Sequence, residues 1–509
     1  MKRSITLAVV TAGLAVGSLD ARAQEAAKGI DRIETVVVIY AENRSFDNLY
    51  GSFPGANGLQ NVTEENSLQR DRDGSVFKEL PPVWGGLTAK GVTPPVTQAM
   101  TEHLPNKPFA IDDPAGFKTP TNVITHDLWH LFYQNQMQID GGKNDRFVAY
   151  ADSGALVMGH YDGSRLPLWS VAQKYTLADN FFQAAFGGSF LNHQWLACAC
   201  TPVYPEADKS PAKEKIAAVD PDGVTLTLAP GSSAMQGPPN FVNNGAITPN
   251  DFYAVNTMQP AYQPSAVKPP QNGDQRLADP DNERTLPPQK NVTIGDLLTL
   301  RGVDWAWYGG AWQMALDGKG GQTPVPTFQY HHQPFNYFAA YAPGTKQREE
   351  HLRDGGLDGT EFIKAIDAGT LPQVAFYKPQ GNLNEHPGYA DVQSGDQHIA
   401  DLIAHLEKSP QWGHMLVVVT YDENGGFWDH VAPPKADRWG PGSRIPALIV
   451  SPFARKGYVD HTQYDTTSIL RFITRRFELP ILSGLAVRDA ALQAHGNPPM
   501  GDLTGALTF

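Results

Sequence analysis

The sequence predicts an α/β protein with a mostly parallel central sheet and helices on both faces. Apolar runs rich in β-branched residues alternate along the chain with segments of helical periodicity. Two of these runs, 36–39 and 416–419, are continuously apolar, which is typical of parallel strands buried on both faces. Because no clear linker separates the apolar runs, one large domain is favoured over two or three.

The predicted elements follow in the order expected of such a sheet. Continuous apolar or β-branched runs predict strands, and spacings such as that of Ile399, Leu402, Ile403 and Leu406 predict helices. The strands are predicted at 33–41, 176–182, 303–308, 373–377, 416–420 and 444–451, and the helices at 126–139, 166–173, 191–199, 292–300, 361–368, 395–408 and 466–477. Segments 52–122 and 201–290 are rich in Pro, Gly and Asn with little periodicity, so we expect them to be insertions that cap one sheet edge.

The N-terminus has the pattern of a secretory signal over residues 1–23. Lys2 and Arg3 precede an apolar run at 5–16, and Ala-Arg-Ala at 21–23 is a cleavage site. The run is too short for a membrane span, and no later segment approaches 18 apolar residues. We therefore expect the remaining chain, 24–509, to be a single periplasmic or secreted domain without integral membrane association.

The mature chain is acidic. Removing the signal takes away three basic residues and one acid, which leaves 37 basic and 52 acidic residues and a formal charge of −15. Such a surface disfavours nucleic acid and anionic membranes as partners. It still permits an anionic substrate, because a bound metal inverts the local field. The oligomeric state is not indicated.

Polar residues follow predicted strands at three places: Glu42-Asn43, Ser189 and Asp422-Glu423. Carboxyl ends of parallel strands lie at one edge of a sheet, so these side chains are expected to converge. Their oxygens suit one divalent ion, with Ca²⁺, Mg²⁺ or Mn²⁺ favoured, although Zn²⁺ also accepts carboxylates. Each signal alone also fits a solvated turn or a helix start, so only their convergence would make a site.

Ser189 is the candidate nucleophile at this edge. It stands where a predicted strand turns into a helix, after Gly187 and Gly188, which allow a substrate to approach the backbone closely. Contact with a metal would lower the pKa of its hydroxyl group. The N–H groups of the helix start would bind a phosphoryl oxygen.

Five histidines are candidates for substrate contacts and proton transfer. His126 and His130 are one helical turn apart in the predicted helix, and His331, His332 and His386 lie in loops beyond predicted strands. Any one of them also fits a structural role. Several around a bound phosphate would donate hydrogen bonds or protonate the leaving group, and their protonated forms would favour an acid optimum.

Cys198 and Cys200 are separated by one residue. Export permits a disulfide between them, but a bridge across a single residue strains the geometry. Two buried thiols in a helix are an equally supported alternative.

Four motif regions resemble the bacterial phosphoesterase family, which contains phospholipases C and a group of periplasmic acid phosphatases. The resemblance covers about 34–479 apart from the insertions, and it is carried by ENRSFDNLYG, FFQAAFGGSFLNHQW, NEHPGYADV and YDENGGFWDHVAPP, followed by GPGSRIPALIVSPFARKGYVDH. The family belongs to the alkaline-phosphatase-like superfamily, which implies a three-layer α/β/α sandwich. It also implies a covalent phosphoryl-enzyme that water then hydrolyses, with inversion at each step.

The resemblance implies a role for each candidate. Ser189 would be the nucleophile, held with Glu42, Asn43, Asp422 and Glu423 around the metal. His130, His332 and His386 would be catalytic, and His331, Asn43 and His126 would bind substrate, although His126 has no secure counterpart in the family.

Within the family we expect an acid phosphatase that hydrolyses small phosphate monoesters through a phosphoserine. A serine stands at the nucleophile position, where the phospholipases resemble one another in using threonine. The signal lacks twin arginines, and the chain ends soon after the core at Phe509. The alternative is a phospholipase C-type phosphodiesterase acting on phosphatidylcholine-like lipids. A non-catalytic binding protein is disfavoured because it gives Ser189 no role.

Overall fold

The computed structural model describes residues 29–231, 233–319 and 328–509. The predicted signal at 1–23 lies outside these ranges. None of the helices within them is both long and apolar enough to cross a membrane.

A central sheet of eight strands organises the molecule. In chain order the strands are β1 (Thr35–Ala41), β2 (Thr176–Ala178), β3 (Trp305–Gly310), β4 (Leu352–Gly356), β5 (Val374–Lys378), β6 (Met415–Tyr421), β7 (Ala447–Val450) and β8 (Tyr458–Asp460). They lie side by side in the order β8-β2-β7-β6-β1-β5-β3-β4. Only β7 runs antiparallel to its neighbours in this sheet. The predicted mostly parallel sheet is confirmed.

Helices complete a three-layer α/β/α sandwich, as predicted. They are α1 (Phe46–Tyr50), α2 (Glu64–Ser67), α3 (Phe132–Ile139), α4 (Pro167–Lys174), α5 (Ser189–Cys198), α6 (Ile294–Arg301), α7 (Trp312–Leu316), α8 (Lys346–His351), α9 (Thr360–Asp367), α10 (Val392–Leu406), α11 (Thr467–Arg476) and α12 (Ser483–Ala494). Among the large helices, α10 packs on α4 and α9, and α5 packs on α6 and α11.

The register of the sheet places the candidate residues together. Strands β1 and β6 are parallel and fully buried, and Ala41 lies opposite Tyr421. The backbone N–H of Asp422 continues the ladder by donating to the Ala41 carbonyl at 3.0 Å. The residues that follow these two strands therefore emerge at one level of one sheet edge.

The predicted helix at 126–139 is wrong in its first six residues, because α3 begins only at Phe132. The backbone N–H groups of Leu128, Trp129 and Phe132 donate to side-chain oxygens of Asp127, Asp152 and Asn256, not to helical carbonyls. His126 and His130 therefore do not share a helix face. The predicted strand at 176–182 is likewise divided, into β2 and the short pair Phe181–Phe182.

Cys198 and Cys200 form a disulfide, with their Cα atoms 5.1 Å apart, which decides between the two alternatives. Segment 201–290 reaches the sheet edge through Asn256, whose side chain accepts from Phe132 and donates to the Gly245 carbonyl at 3.2 Å. That this segment and 52–122 are insertions in one domain remains a prediction.

Candidate active site

Five predicted ligand side chains converge at the edge where β1 and β6 end. Ser189 Oγ lies 3.2 Å from Glu42 Oε2, 3.4 Å from Asn43 Oδ1 and 3.5 Å from Glu423 Oε1. Asp422 joins the group through its Oδ1 atom, which accepts the backbone N–H of Asn43 at 3.0 Å. Residues that are far apart in the sequence therefore surround a single hydroxyl group.

Backbone geometry holds the two strand-end loops against each other. Asn43 has a φ of 61°, a left-handed conformation that asparagine tolerates better than most residues. Gly425 has a φ of +62°, and a Cβ atom there would lie 2.3 Å from the Asn43 carbonyl oxygen. The loop that carries Glu423 can approach Asn43 this closely only because residue 425 has no side chain.

Ser189 is the first residue of α5, and Gly188 precedes it as the N-cap. The first N–H groups of a helix have no acceptor within the helix and form an anion site. A Cβ atom at Gly188 would lie 2.5 Å from the His130 carbonyl oxygen. Glycine here lets the segment that carries His130 pack directly against the start of the helix.

Glu42, Asp422 and Glu423 are fully buried, so their ionised forms are stable only with positive charge close by. Burial raises the pKa of Asp422 to about 8, and the nearby Glu42 carboxylate adds to the effect. Burial, followed by the charge of Asp422, raises the pKa of Glu423 well above its usual range. Burial alone would raise the pKa of Glu42 too, but Lys378 and His332 outweigh it and hold that pKa well below the usual range.

The donor set fits a divalent cation. Asp422 Oδ2 is buried and has no hydrogen-bond partner among the described residues. Buried polar atoms in proteins are almost always paired, so an unpaired buried carboxylate oxygen is free to bind an ion. At the same edge, the buried side chains of Glu42, His193 and His332 also offer ligand atoms close enough together to hold a metal.

A cavity of about 290 Å³ opens onto Ser189, the predicted nucleophile. Three of the predicted histidines, His130, His331 and His386, line it together with Ser189. The remaining lining residues are Asp127, Leu131, Gly188, Phe190, Val255, Asn256, Thr257, Gln329 and Tyr389. The cavity is therefore partly apolar and is walled on one side by segment 201–290.

Burial favours the neutral forms of three histidines at the site, His130, His331 and His332. Burial lowers the pKa of His130 and lowers that of His331 well below its usual range. Burial also lowers the pKa of His332, to about 4. His130 Nδ1 lies 2.6 Å from the Leu128 carbonyl oxygen and donates to it, which leaves Nε2 as an acceptor. These shifts work against the expectation that protonated histidines bind the phosphate.

The structure brings His332 to the ligand group and leaves His126 outside. His332 does not line the cavity, but its Nε2 atom lies 2.8 Å from Glu42 Oε1. His126 lies beside Gly85, and its backbone N–H donates to the Leu87 carbonyl at 2.8 Å. The helical spacing that suggested a shared face for His126 does not exist in the folded chain.

Two residues at the site were not predicted as ligands or catalytic groups. Lys378, the last residue of β5, is fully buried with its Nζ atom 2.5 Å from Glu42 Oε1. His193 is also fully buried and donates from Nδ1 to the Ser189 carbonyl at 2.8 Å. The same Nδ1 atom lies 3.8 Å from Asp422 Oδ2. The sequence does give a signal for Lys378, because this charged residue directly follows the predicted apolar strand 373–377.

A second buried cluster fastens the loop after β6 to α1. Arg444 donates to Asp429 Oδ1 at 2.9 Å and to Asp47 Oδ1 at 3.0 Å. Asp429 Oδ2 accepts the backbone N–H of Asp47, and His430 Nδ1 lies 2.6 Å from Asp47 Oδ2. The pair Asp429-His430 therefore supports the loop that follows the ligands Asp422 and Glu423.

Comparison with known proteins shows the family to which this chain belongs. A model of the Phosphoesterase family matches residues 33–480. "Phospholipase C B" of Mycobacterium tuberculosis is 24% identical over 514 residues, which is 94% of this chain and 78% of that protein. "Non-hemolytic phospholipase C" of Burkholderia pseudomallei is 29% identical over 258 residues, which is 43% of this chain and 36% of that protein.

A solved structure of a protein in the alkaline phosphatase superfamily from Vibrio parahaemolyticus matches 74% of both chains, with 10% identity and a TM-score of 0.32. The family match spans β1, the start of α5 and the loop after β6, which are the three places that supply the converging side chains. This chain therefore belongs to the phosphoesterase family and is a hydrolase of phosphoric esters.

Proposed function

We propose that this chain is an exported, metal-dependent phosphodiesterase of the phospholipase C type. The observation that carries the proposal is Ser189 Oγ, which lies within 3.5 Å of three ligand oxygens at a helix start and faces the cavity. The relatives named above are phospholipases C, which supports the diester alternative better than the acid phosphatase we expected from the sequence.

The cavity lining is consistent with a diester. Leu131, Phe190 and Val255 provide apolar surface close to the nucleophile, where a second ester group would lie. A phosphate monoester carries one organic group and a diester carries two, so apolar surface on the pocket wall offers contact to the additional group of a diester.

In the proposed reaction Ser189 Oγ attacks phosphorus. The hydroxyl group gives up its proton to solvent, and a new bond forms between serine oxygen and phosphorus while the bond from phosphorus to the leaving-group oxygen breaks. Water then attacks phosphorus, the bond from phosphorus to serine oxygen breaks, and the phosphate product leaves while the serine oxygen regains a proton. A divalent ion held by Glu42, Asn43, Ser189, Asp422 and Glu423 would lower the pKa of the serine hydroxyl and offset phosphoryl charge. Their oxygen donors favour Ca²⁺, Mg²⁺ or Mn²⁺, with Zn²⁺ as an alternative.

His386 is the proposed proton donor to the leaving group. Its Nδ1 atom lies 2.5 Å from the Pro387 carbonyl oxygen and donates to it, so Nε2 is the atom that exchanges a proton. The Asp127 carboxylate lies 3.9 Å from Nδ1 and would offset the charge of the imidazolium form. His130 and His331 complete the wall of the phosphate site.

The test compares a diester and a monoester on one preparation. We expect p-nitrophenylphosphorylcholine to be hydrolysed with a higher kcat/KM than p-nitrophenyl phosphate. Ser189→Ala should lose both activities by roughly 10³-fold or more, because the attacking oxygen is removed. Ser164→Ala, at an exposed serine, is the matched control. Full activity in Ser189→Ala would refute the mechanism.

An acid phosphatase is the second candidate. The family resemblance implies threonine at the nucleophile position of the phospholipases, so the serine at position 189 favours this candidate. A strong preference for p-nitrophenyl phosphate in the same assay would select this function and leave the role of Ser189 intact.

A further inference from the structure

Lys378 is a buried cation at the centre of the proposed site. Its side chain is fully buried, and its Nζ atom lies 2.5 Å from Glu42 Oε1 and 3.4 Å from the Ala41 carbonyl oxygen. The ammonium also lies over the Tyr40 ring, 5.2 Å from its centroid. A lysine is rarely buried completely unless it is paired, so this position is specifically built for a positive charge.

The Glu42 carboxylate also belongs to a second group of potential metal ligands. Glu42, His193 and His332 each offer one ligand atom within 4.8 Å of the others, and all three side chains are buried. His193 donates from Nδ1 to the Ser189 carbonyl, which is how metal-binding histidines are usually oriented. Its Nε2 atom has no hydrogen-bond partner among the described residues.

His332 Nε2 is also without a partner of hydrogen-bond geometry within the described chain, although it lies 2.8 Å from Glu42 Oε1. Two imidazole nitrogens and one carboxylate are the ligand set of many zinc sites. Glu42 directs Oε2 toward Ser189 and Oε1 toward these nitrogens, as a carboxylate does when it bridges two cations.

Charge balance decides how many divalent ions this arrangement holds. Glu42, Asp422 and Glu423 carry three negative charges when they bind a metal, and Lys378 supplies one positive charge in direct contact with Glu42. One divalent ion makes the group neutral. A second would leave two uncompensated positive charges in a buried place, which is strongly unfavourable.

We propose that Lys378 takes the place of a second divalent ion in a latent site formed by Glu42, His193 and His332, so that the centre holds one metal. The proposal rests on the metal centre of the proposed function. Without the ammonium, Glu42 Oε1 and the two imidazoles become free to bind a second ion, and Zn²⁺ is the ion that suits them.

The test counts bound zinc. Wild type, Lys378→Met and the double variant Lys378→Met/His193→Asn are stripped with a chelator, equilibrated with excess Zn²⁺, gel-filtered and measured by inductively coupled plasma mass spectrometry. We expect one zinc ion per chain in wild type, two in Lys378→Met, and one again in the double variant, which lacks a latent ligand. Circular dichroism confirms that each variant is folded.

Two zinc ions in wild type, or one in folded Lys378→Met, would overturn the proposal. Two in the double variant would do so as well, because the second ion would then lie elsewhere. If Lys378→Met does not fold, Lys378→Gln is counted in its place, with two ions supporting the proposal and one refuting it. Hydrolysis is assayed separately, so a wild type that is inert toward esters refutes the proposed function without altering the zinc counts.

Discussion

The buried carboxyl group of Asp396 should make the protein less stable as the pH rises. Asp396 lies in α10 with no exposed surface, and its Oδ1 atom accepts the backbone N–H of Leu168 at 2.8 Å. Its Oδ2 atom has no hydrogen-bond partner in the described ranges. Burial raises the pKa of Asp396 from 3.8 to about 7.

This pKa shift sets the sign and the size of the change in unfolding free energy with pH. The unfolded chain releases the proton near pH 3.8 and the folded chain only near pH 7, so stability falls as the pH rises between these values. A shift of about 3 pKa units corresponds to about 4 kcal/mol, all of it lost above about pH 8. Below pH 3.8 the group contributes no pH dependence.

Asp396→Asn removes the ionisation and keeps an oxygen that accepts from Leu168. Urea unfolding followed by tryptophan fluorescence at pH 4.5, 6 and 8 gives the free energy of unfolding of both proteins. We expect the wild type to lose about 3 kcal/mol relative to the variant between pH 4.5 and 8, because about 1 kcal/mol is already lost at pH 4.5. Asp401→Asn, an exposed site on the same helix, is the control and should follow wild type. Parallel pH profiles of wild type and Asp396→Asn would refute the reasoning.

The remaining predictions concern buried charge elsewhere. Arg444→Met leaves the Asp47 and Asp429 carboxylates without their cation, and we expect urea unfolding to give a loss of about 3–5 kcal/mol. Arg438→Met removes an exposed ion pair and should cost less than about 1 kcal/mol, so equal losses would contradict this explanation. Chelation should abolish most ester hydrolysis and lower Tm, because the three buried acids lose their counterion, and added divalent ion should restore both. Unchanged Tm and activity after verified metal removal would contradict a metal role.

The central strands and the acids that follow them were predictable because a strand buried on both faces has a continuously apolar sequence. The runs that became β1 and β6 are continuously apolar, and polar residues follow them directly. The two edge strands were not predicted. β4 has the sequence LRDGG and β8 has only three residues, because an edge strand needs neither a long apolar run nor two buried faces.

Contacts made by the fold itself could not be inferred from spacing. The pairing of Lys378 with Glu42 depends on β5 lying beside β1, which the order of elements does not specify. The loop conformation of 126–131 depends on side chains of Asp152 and Asn256, which lie on other segments. The apolar pattern of that stretch predicted a helix, because such a pattern contains no information about hydrogen bonds to distant segments.

The position of β1 in the sheet has a consequence for biosynthesis. It is the first strand of the sheet to leave the ribosome. It lies between β5 and β6, which are the fifth and sixth strands to be made. Asn43 and Asp422, which close the ligand group, are 379 residues apart. A nascent chain therefore carries this apolar strand without its sheet neighbours for most of synthesis, a state that favours aggregation and chaperone binding. If the proposed ligand group is required for hydrolysis, the chain gains activity only after Glu423 has emerged.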